Sequence, residues 1–343
     1  MALTKVSTGV VDMSGNTGGL VIAKGTEEQR PASPSIGMIR ESTETTPSKV
    51  EVYTDNSGTP GWQFLEEAGP SFIPLTVDYL VVAGGGAGGA GGTNVTGGGG
   101  GAGGLLSGTS LNLISGTQYN VIVGGGAPAL SGTADLGGSR GSNSIISGSN
   151  ITTITATGGG GGGGNNSDSP QASGGSGGGG KESNGTPGSG QSGQGFNGAA
   201  GTETGDLGGG GGGASQTGQG GNGGDGLSSS ITGNTVFYAG GGSANNISNQ
   251  AGAGGQGGGG NAPTSGAGQD GAANTGGGGS GGFANSSGPS GAGGSGIVIL
   301  RYPSAYAITF QTGVGFISST ATLSATSEKV TTITAGSGTI TFA

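Results

Sequence analysis

The chain of 343 residues contains 95 glycines, and only 8% of its residues are charged, with a formal net charge of −9. It has no cysteine and no histidine, which excludes disulfide scaffolds, zinc sites with sulfur or imidazole ligands, and Ser-His or Cys-His nucleophiles. The acidic balance argues against nucleic acid or anionic lipid as a partner. We therefore expect no enzymatic activity, no cofactor, no metal site and no nucleic-acid partner.

Membrane and export signals are absent from the sequence pattern. No apolar stretch reaches the length of a membrane span, and the N-terminus lacks the apolar core of a signal peptide. We expect no membrane insertion, and synthesis in a cytoplasm.

The N-terminal 70 residues predict a small β module. Residues 19–26 have the composition of one strand. Segments with period-two alternation follow between Pro, Gly and Asn turns, at residues 30–40, 50–54 and 61–65. The pattern predicts a hairpin or meander of roughly three strands, within which Trp62 packs, and such a sheet is too small to bury a core alone. We expect residues 1–70 to associate with copies of themselves and to serve attachment or trimerisation.

A short motif in this module resembles a module of tail-fibre and virion appendage proteins of marine bacteriophages, cyanophages especially. The similarity covers residues 20–67. The matching pieces are Lys24-Gly25-Thr26, Gln29-Arg30-Pro31, Gly37-Met38-Ile39-Arg40, Val50-Glu51-Val52-Tyr53 and Trp62. The chain departs from the pattern after Arg40. In the similar proteins the arginine is usually followed by an aromatic residue and then by Asn-Thr, whereas this chain has Glu41-Ser42-Thr43. The resemblance implies a virion component and implies no chemistry.

Glycine dominates the chain from Gly84 to Gly296. Nine of the 95 glycines lie before this stretch and four after it, which leaves 82 inside. The longer runs are at residues 97–101, 158–164, 177–180, 208–213 and 276–279. Collagen is excluded, because it requires glycine at every third position and abundant proline. The composition leaves two interpretations, a flexible linker or an ordered glycine architecture.

Short β-branched segments among the runs favour the ordered interpretation. They lie at residues 77–83, 119–123, 151–157, 236–239 and 296–302, and they have the length and composition of strands. Glycine runs can form polyproline II helices, three residues per turn, whose N–H and C=O groups bond neighbouring helices. Ordering glycine costs about 1–2 kcal/mol per residue while a hydrogen bond returns about 0.5–1.5 kcal/mol. Such helices therefore need the strands as a base.

Turns between the glycine runs provide the candidate recognition residues. The clearest case has residues 84–92 going out, a turn at 93–96 and residues 97–104 returning. Nine residues at about 3.1 Å each give a segment of roughly 28 Å. Longer excursions occupy residues 157–231 and 239–297. The polar turn residues predicted to bind a receptor are Asn94, Asn165, Asn166, Asp168, Asn184, Asn245 and Asn246.

Two isolated aromatic residues, Phe196 and Phe283, are further candidates. Each stands in a stretch with few side chains. They either stack on a sugar or another receptor group, or fill space between glycine segments. A phosphate loop is not indicated at Gly175 to Glu182, because Glu182 replaces the Ser or Thr that would hold magnesium. Paired carboxylates such as Glu66-Glu67 are expected to face apart, so a glycosidase site is not indicated either.

The stretch from residue 77 to 303 resembles the glycine-rich domain of phage fibres. The motifs that carry the similarity are Tyr79-Leu80-Val81-Val82-Ala83-Gly84, Ile154-Thr155-Ala156-Thr157-Gly158, Tyr238-Ala239-Gly240 and the closing Gly296-Ile297-Val298-Ile299-Leu300-Arg301-Tyr302. A similar polyglycine architecture occurs in the adhesins at the tips of long tail fibres, and in the ectodomain of the anaplastic lymphoma kinase family. The resemblance implies a host-binding appendage.

The sequence as a whole predicts an all-β protein with polyglycine II helices. The predicted domains are an N-terminal β module at 1–70, a glycine-rich domain at 71–303 and a small C-terminal β module at 304–343. The expected function is a structural virion protein of a tailed phage, a homotrimeric fibre or spike whose turns bind a host cell-surface receptor. Its N-terminal module would bind other phage tail or capsid proteins. The alternatives are a capsid- or tail-decorating protein without a receptor role, and an ice- or surface-binding polyglycine protein.

Overall fold

The structure is a computed structural model, and it describes residues 24–44, 49–56, 59–64, 75–92, 95–131, 136–164, 171–203, 206–245, 251–283, 289–311 and 315–343. In these residues the protein is nearly all β, with one short 3₁₀ turn at Glu27–Gln29 and no α-helix. Accordingly, none of the described segments is a helix long and apolar enough to cross a membrane. The chain divides into two compact units, Met1–Ile73 and Pro74–Ala343.

The first unit contains one four-stranded sheet. Its strands in chain order are β1 (Lys24–Gly25), β2 (Ile39–Ser42), β3 (Lys49–Asn56) and β4 (Thr59–Phe64). The order in the sheet is β1-β2-β3-β4; β1 pairs parallel to β2, and the other pairs are antiparallel. A meander of three antiparallel strands, as predicted from the alternation, is present as β2, β3 and β4, but residues 30–38 of the first predicted segment form no strand. The predicted strand at 19–26 retains only β1, since residues 19–23 lie outside the described residues.

The second unit is built on two five-stranded sheets. Its strands are β5 (Leu75–Val82), β6 (Leu105–Leu113), β7 (Gln118–Ile122), β8 (Ser144–Gly148), β9 (Ile154–Ala156), β10 (Leu227–Ser229), β11 (Val236–Tyr238), β12 (Ile297–Pro303), β13 (Ile308–Phe310), β14 (Ile317–Leu323), β15 (Glu328–Ala335) and β16 (Ser337–Phe342). The first sheet has the order β14-β15-β12-β5-β6, the second β13-β16-β7-β8-β9, and β10 with β11 forms a separate hairpin.

Side chains of both sheets meet in one apolar core. Val81 and Leu300 come from the first sheet, Tyr119 and Ile340 from the second, and all four are nearly without exposed surface. Tyr302 packs edge-on against Phe342 with ring centroids 5.2 Å apart. The opposite face of the first sheet is also covered, since Leu80 and Ile299 pack with Ala102 and Tyr238. The central strands β5 and β12 of this sheet are therefore covered on both faces, as the near-continuous apolar sequence of β12 requires.

The four C-terminal strands belong to these same sheets and do not form a separate module. In the first sheet β15 lies between β12 and β14, and in the second β16 lies between β7 and β13. Ile333 and Phe342 of these strands are fully buried in the shared core. The predicted boundary at residue 303 therefore separates no compact unit. Alternation in 304–343 indicates strands, but it carries no information about their partners, which lie far away in the sequence.

Glycine segments connect these strands through long excursions, and their backbone bonds repeat every three residues. In residues 84–90, every third N–H group donates to the same neighbouring segment. Residues 84, 87 and 90 donate to the carbonyls of residues 142, 139 and 136, residues 85 and 88 to those of 294 and 291, and residues 86 and 89 to those of 101 and 98. Three neighbouring segments thus accept these hydrogen bonds in rotation. Within the described residues, this regular bonding supports an ordered glycine architecture over a flexible linker.

Residues 97–104 lie at the centre of this arrangement, which we call the glycine lattice. Their N–H groups donate to residues 276–282, 157–163 and 209–212, and their carbonyls accept from residues 86–89, 176–179 and 242. Every residue from 97 to 104 is buried. The return of 97–104 along 84–92, predicted from the sequence, is confirmed by the bonds of Gly86 to Gly101 and of Gly89 to Gly98, both 2.9 Å.

Glycine is required in the lattice because the segments approach backbone to backbone. A Cβ on Gly99 would lie 2.2 Å from the carbonyl oxygen of Gly242, and one on Gly278 would lie 2.1 Å from that of Gly100. Contacts this short displace a neighbouring segment, since the obstructing atoms belong to the backbone. Gly125 in an outer segment has nothing within 4 Å of the same position. Glycine is therefore required where two backbones are in contact, and not at every position of the glycine segments.

Candidate recognition surface

Several of the turns between glycine segments are flanked by residues that lie together at the end of the lattice away from the two sheets. These flanking residues hydrogen bond to each other there. Gly97 N–H donates to the Gly282 carbonyl at 3.2 Å, Gly208 N–H to the Asn245 carbonyl at 3.2 Å, and Ala90 N–H to the Leu136 carbonyl at 3.1 Å. We call this end the distal face and define it by the described residues 92, 95–96, 136, 164, 182–185, 202–203, 206–207, 245, 251 and 283.

Asn184 is the predicted receptor residue that the structure places on this face with an exposed side chain. It lies in the turn that follows Lys181, and its φ of 58° is in the left-handed region, as is that of Ser183 at 61°. Asparagine is among the residues that tolerate this conformation best. The local sequence Ser-Asn-Gly thus suits a tight reversal that leaves the amide of Asn184 in solvent.

Asn245 and Phe283 are also at the distal face, but their side chains are covered. Asn245 has no exposed surface, and its amide nitrogen donates to the Pro263 carbonyl. Phe283 is 8% exposed. Both residues lie at the end of a glycine segment, where a side chain fills space between segments. Of the two alternatives for Phe283, the structure supports filling, and neither side chain presents a surface to a receptor.

Phe196 lies at the other end of its segment. Its ring is 46% exposed, while its backbone N–H donates to Gly213 and its carbonyl accepts from Gly177. Gln194, two residues earlier, bonds through its carbonyl to Leu105 N–H at the start of β6. Phe196 is therefore available to solvent near the sheets and away from the distal face.

Five predicted receptor residues lie outside the described residues. They are Asn94, Asn165, Asn166, Asp168 and Asn246. Their described neighbours in sequence, Gly92, Val95, Gly164 and Asn245, belong to the distal face. The assignment of these five residues to receptor binding stays a prediction.

A buried carboxylate, which the sequence analysis did not identify as functional, joins three segments beneath the distal face. Glu182 is 4% exposed, and its Oε2 accepts from Thr96 N–H at 2.9 Å. The Thr96 hydroxyl accepts in turn from Gly208 N–H at 3.0 Å. Burial raises the pKa of Glu182, the Thr96 N–H opposes the rise, and the charge of Asp206 adds to it. In the sequence Glu182 is a lone acid in a polar turn, and nothing there signals burial.

Metal coordination has no support at this face. In the described ranges, no group of three or more His, Cys, Asp or Glu side chains is close enough together to hold an ion. The exposed side chains of the distal face are small polar and apolar ones, with Glu203 as a charged exception. The described residues of this surface offer hydrogen bonds and shape to a partner.

The motif residues of the first unit form a polar cluster. Glu51 is 1% exposed and lies between two arginines, with its carboxylate 2.6 Å from Arg30 Nη2 and 3.2 Å from Arg40 Nη1. Both guanidinium groups lie over Trp62, 6.0 and 5.8 Å from the ring centroid. Trp62 also contacts Tyr53 edge-on. The motif therefore holds the sheet of the first unit together, and Trp62 packs within its module as predicted.

Residues 67–303 match the model of a family described as a glycine-rich domain. The chain belongs to this glycine-rich domain family. No curated protein matches its sequence. The family match ends at Pro303, the last residue of β12, although β15 and β16 complete the sheets from beyond it. In this protein the glycine-rich domain is thus closed by strands outside the matched region.

Proposed function

We propose that the glycine segments are polyglycine II helices. The observation that supports this assignment is the repeat of three in the bonding partners of residues 84–90, because a helix with three residues per turn directs every third N–H to the same side. A central segment with neighbours on all sides, as at residues 97–104, is what packed helices of this kind produce. The lattice then supplies the partners that an isolated helix of this type lacks.

We propose that the protein is a structural virion component of a tailed bacteriophage, a fibre or spike whose distal face binds a host cell-surface receptor. The observation that carries this proposal is that the flanks of several turns meet at one end of the lattice, where Asn184 is exposed. A rigid scaffold with polar turns at one end suits recognition, because loops tolerate change without disturbing the elements that hold them. The resemblance of residues 20–67 and 77–303 to phage fibre proteins supports the same proposal.

The composition of the first unit supports self-association, and a homotrimer is the proposed state. Among its described residues no apolar side chain is buried, whereas Arg40, Ser42 and Glu51 are. Apolar side chains are exposed instead, at Ile36, Met38, Ile39 and Phe64. A sheet without an apolar core gains stability by covering such residues with another chain. The first unit is therefore the proposed contact with sister chains and with other tail or capsid proteins.

Antibody labelling of intact particles tests the proposal. One antibody is raised against a peptide of residues 181–188, which includes the exposed Asn184 of the distal face, and the control antibody against residues 227–238, which include β10 and β11. Both should label the particle, and only the first should block adsorption to host cells. Failure of both to label would exclude a virion protein. Labelling by both antibodies without any block of adsorption would support the alternative, a decorating protein that has no receptor role.

Sedimentation of the full chain tests the oligomeric state separately. A trimer has a mass of about three times the 31.5 kDa of one chain. A monomer at micromolar concentration would contradict the role given to the first unit.

A further inference from the structure

A groove of about 710 Å³ opens between the outer strands of the two sheets. One wall is β6, the last strand of the first sheet, and the other is formed by residues 150–155, which lead into and include part of β9, the last strand of the second sheet. The groove lies on the sheets and not on the distal face, and the proposed receptor turns contribute nothing to it.

The chemistry of the groove is amphipathic and uncharged. Its floor includes Leu106, Leu111, Ile151 and Ile154, which are partly buried against the core between the sheets, together with the ring of Tyr79. The rim carries hydroxyl and amide groups, at Thr109, Ser110, Asn112, Asn150, Thr152 and Thr153. Among the described residues that line the groove, none carries a formal charge.

The backbone around Tyr79 is shaped so that the ring lies across β6. A Cβ on Gly108 would be 2.6 Å from the Tyr79 hydroxyl and 2.7 Å from ring carbons, so glycine makes room for the ring. The pairing of β5 with β6 shifts register between Val77 and Tyr79. Bulges of this kind redirect side chains and are frequent beside binding sites.

Two rim residues adopt left-handed backbone conformations on opposite walls of the groove. Ser110 has a φ of 58°, and its N–H donates to Asp78 Oδ1 at 3.0 Å. Asn150 has a φ of 65°. A serine in this region costs energy that its surroundings must maintain, and such residues concentrate at functional sites. The bulge, Gly108 and Ser110 together shape a defined depression at the β6 edge of the first sheet.

We propose that this groove binds a neutral oligosaccharide. A sugar ring presents an apolar face, which fits the aliphatic floor and Tyr79, and a periphery of hydroxyl groups, which fits the amide and hydroxyl rim. The volume is within the range of small-ligand sites. Anionic sugars are disfavoured, because the lining supplies no cation and the chain carries a net charge of −9. A peptide added as a further strand to β6 is the competing occupant, but it would leave the hydroxyl-rich rim without a role.

Saturation-transfer NMR on the full chain tests the proposal. The probes are maltotriose, cellotriose and triacetylchitotriose, with 3′-sialyllactose as the anionic comparison and a hexapeptide of alternating Val and Thr as the strand probe. We expect transfer to at least one neutral trisaccharide, and weaker or no transfer to the other two probes. No transfer to any neutral trisaccharide, or equal transfer to sialyllactose or to the peptide, would overturn the proposal.

Variants on both walls locate the site. Thr109→Arg on β6 and Thr153→Arg on the opposite wall should each weaken binding by about tenfold or more, because an arginine side chain fills the groove. Thr322→Arg is the matched control, since Thr322 is an exposed threonine on β14, the other outer strand of the same sheet. Circular dichroism checks that each variant folds. Because two wall positions are tested, the site can still be located if one of these two variants does not fold. Binding that survives in the folded wall variants, or that falls equally in the control, would place the sugar elsewhere.

Discussion

In the two five-stranded sheets the interior is filled by side chains, whereas in the glycine lattice it is filled by backbone. Leu300 in β12 has 2% of its surface exposed and packs among other apolar side chains. Gly99 in the lattice is equally enclosed, but its neighbours are carbonyl oxygens. One region therefore depends on burial of apolar surface and the other on regular hydrogen bonds. The stability of the lattice should therefore be more sensitive to added atoms, and that of the sheets more sensitive to removed atoms.

The largest effect is expected when atoms are added to the lattice. Gly99→Val places carbons within about 2.2 Å of the Gly242 carbonyl, which displaces neighbouring segments and breaks several hydrogen bonds. At about 0.5–1.5 kcal/mol for each bond, the variant should fail to fold or melt far below the wild type. Gly125→Ala is the control, because that position is open and should leave the melting temperature unchanged. A Gly99→Val protein as stable as the control would contradict the lattice.

Removal of atoms should matter most in the sheets. Leu300→Ala leaves a cavity in the core between them and should destabilise the second unit by about 2–5 kcal/mol. Ala87→Gly removes one buried methyl group from the lattice and should cost only about 1 kcal/mol. Denaturant unfolding followed by far-UV circular dichroism measures both. Equal costs would mean that the lattice, too, is held by side-chain packing.

Carboxylates in the two regions should respond to pH with opposite signs. The bond from Arg301 lowers the pKa of Glu328 in β15, so its stabilisation is present above the ordinary value of 4.5 and is lost as the pH falls through the lowered pKa. Burial raises the pKa of Glu182, so its ionisation destabilises the fold as the pH rises from 4.5 through the raised pKa.

Thermal melts across pH 3 to 8 separate these two effects when each glutamate is replaced by glutamine. Glu182→Gln should gain on the wild type as the pH rises, and Glu328→Gln should lose. The same sign for both variants would contradict the environments described for the two carboxylates.

The smallest effect on stability is expected at the distal face. Asn184→Gly should change the free energy of unfolding by about 0.5 kcal/mol or less, because its side chain is exposed and glycine accepts its φ of 58°. Asn184→Ala should cost about 1 kcal/mol more, since alanine is strained there. If the turn binds a receptor, both variants should adsorb to cells less well than the wild type. Normal adsorption by both would remove Asn184 from the proposed surface.

The sequence patterns predict the strands that flank the glycine runs, but they predict the outer strands of the sheets less well. Residues 77–83 and 296–302 are apolar and β-branched, and they form β5 and β12. The sequence pattern does not predict β6, because an outer strand exposes Ser107, Thr109 and Asn112 and lacks a continuous apolar pattern. In β8, Ser144 and Ser147 lie among glycines and serines, and the strand was not predicted.

The arrangement of the glycine segments was beyond sequence reasoning. Adjacent segments such as 84–92 and 97–104 pair through a short turn, and this hairpin could be predicted. The other neighbours of residues 97–104 come from positions more than fifty residues away, and glycine carries no side chain that specifies a partner. Burial of Asn245, Phe283 and Glu182 follows from that arrangement, which is why the sequence did not separate them from the exposed Asn184.

Amide hydrogen exchange of the full chain tests most directly whether the glycine runs are ordered by backbone bonds. Amides of residues 97–104, which donate to three different segments, should be protected as strongly as those of β12, while the amide of Asn184 should exchange rapidly. Exchange of residues 97–104 at the rate of an unstructured chain, with β12 still protected, would contradict the lattice.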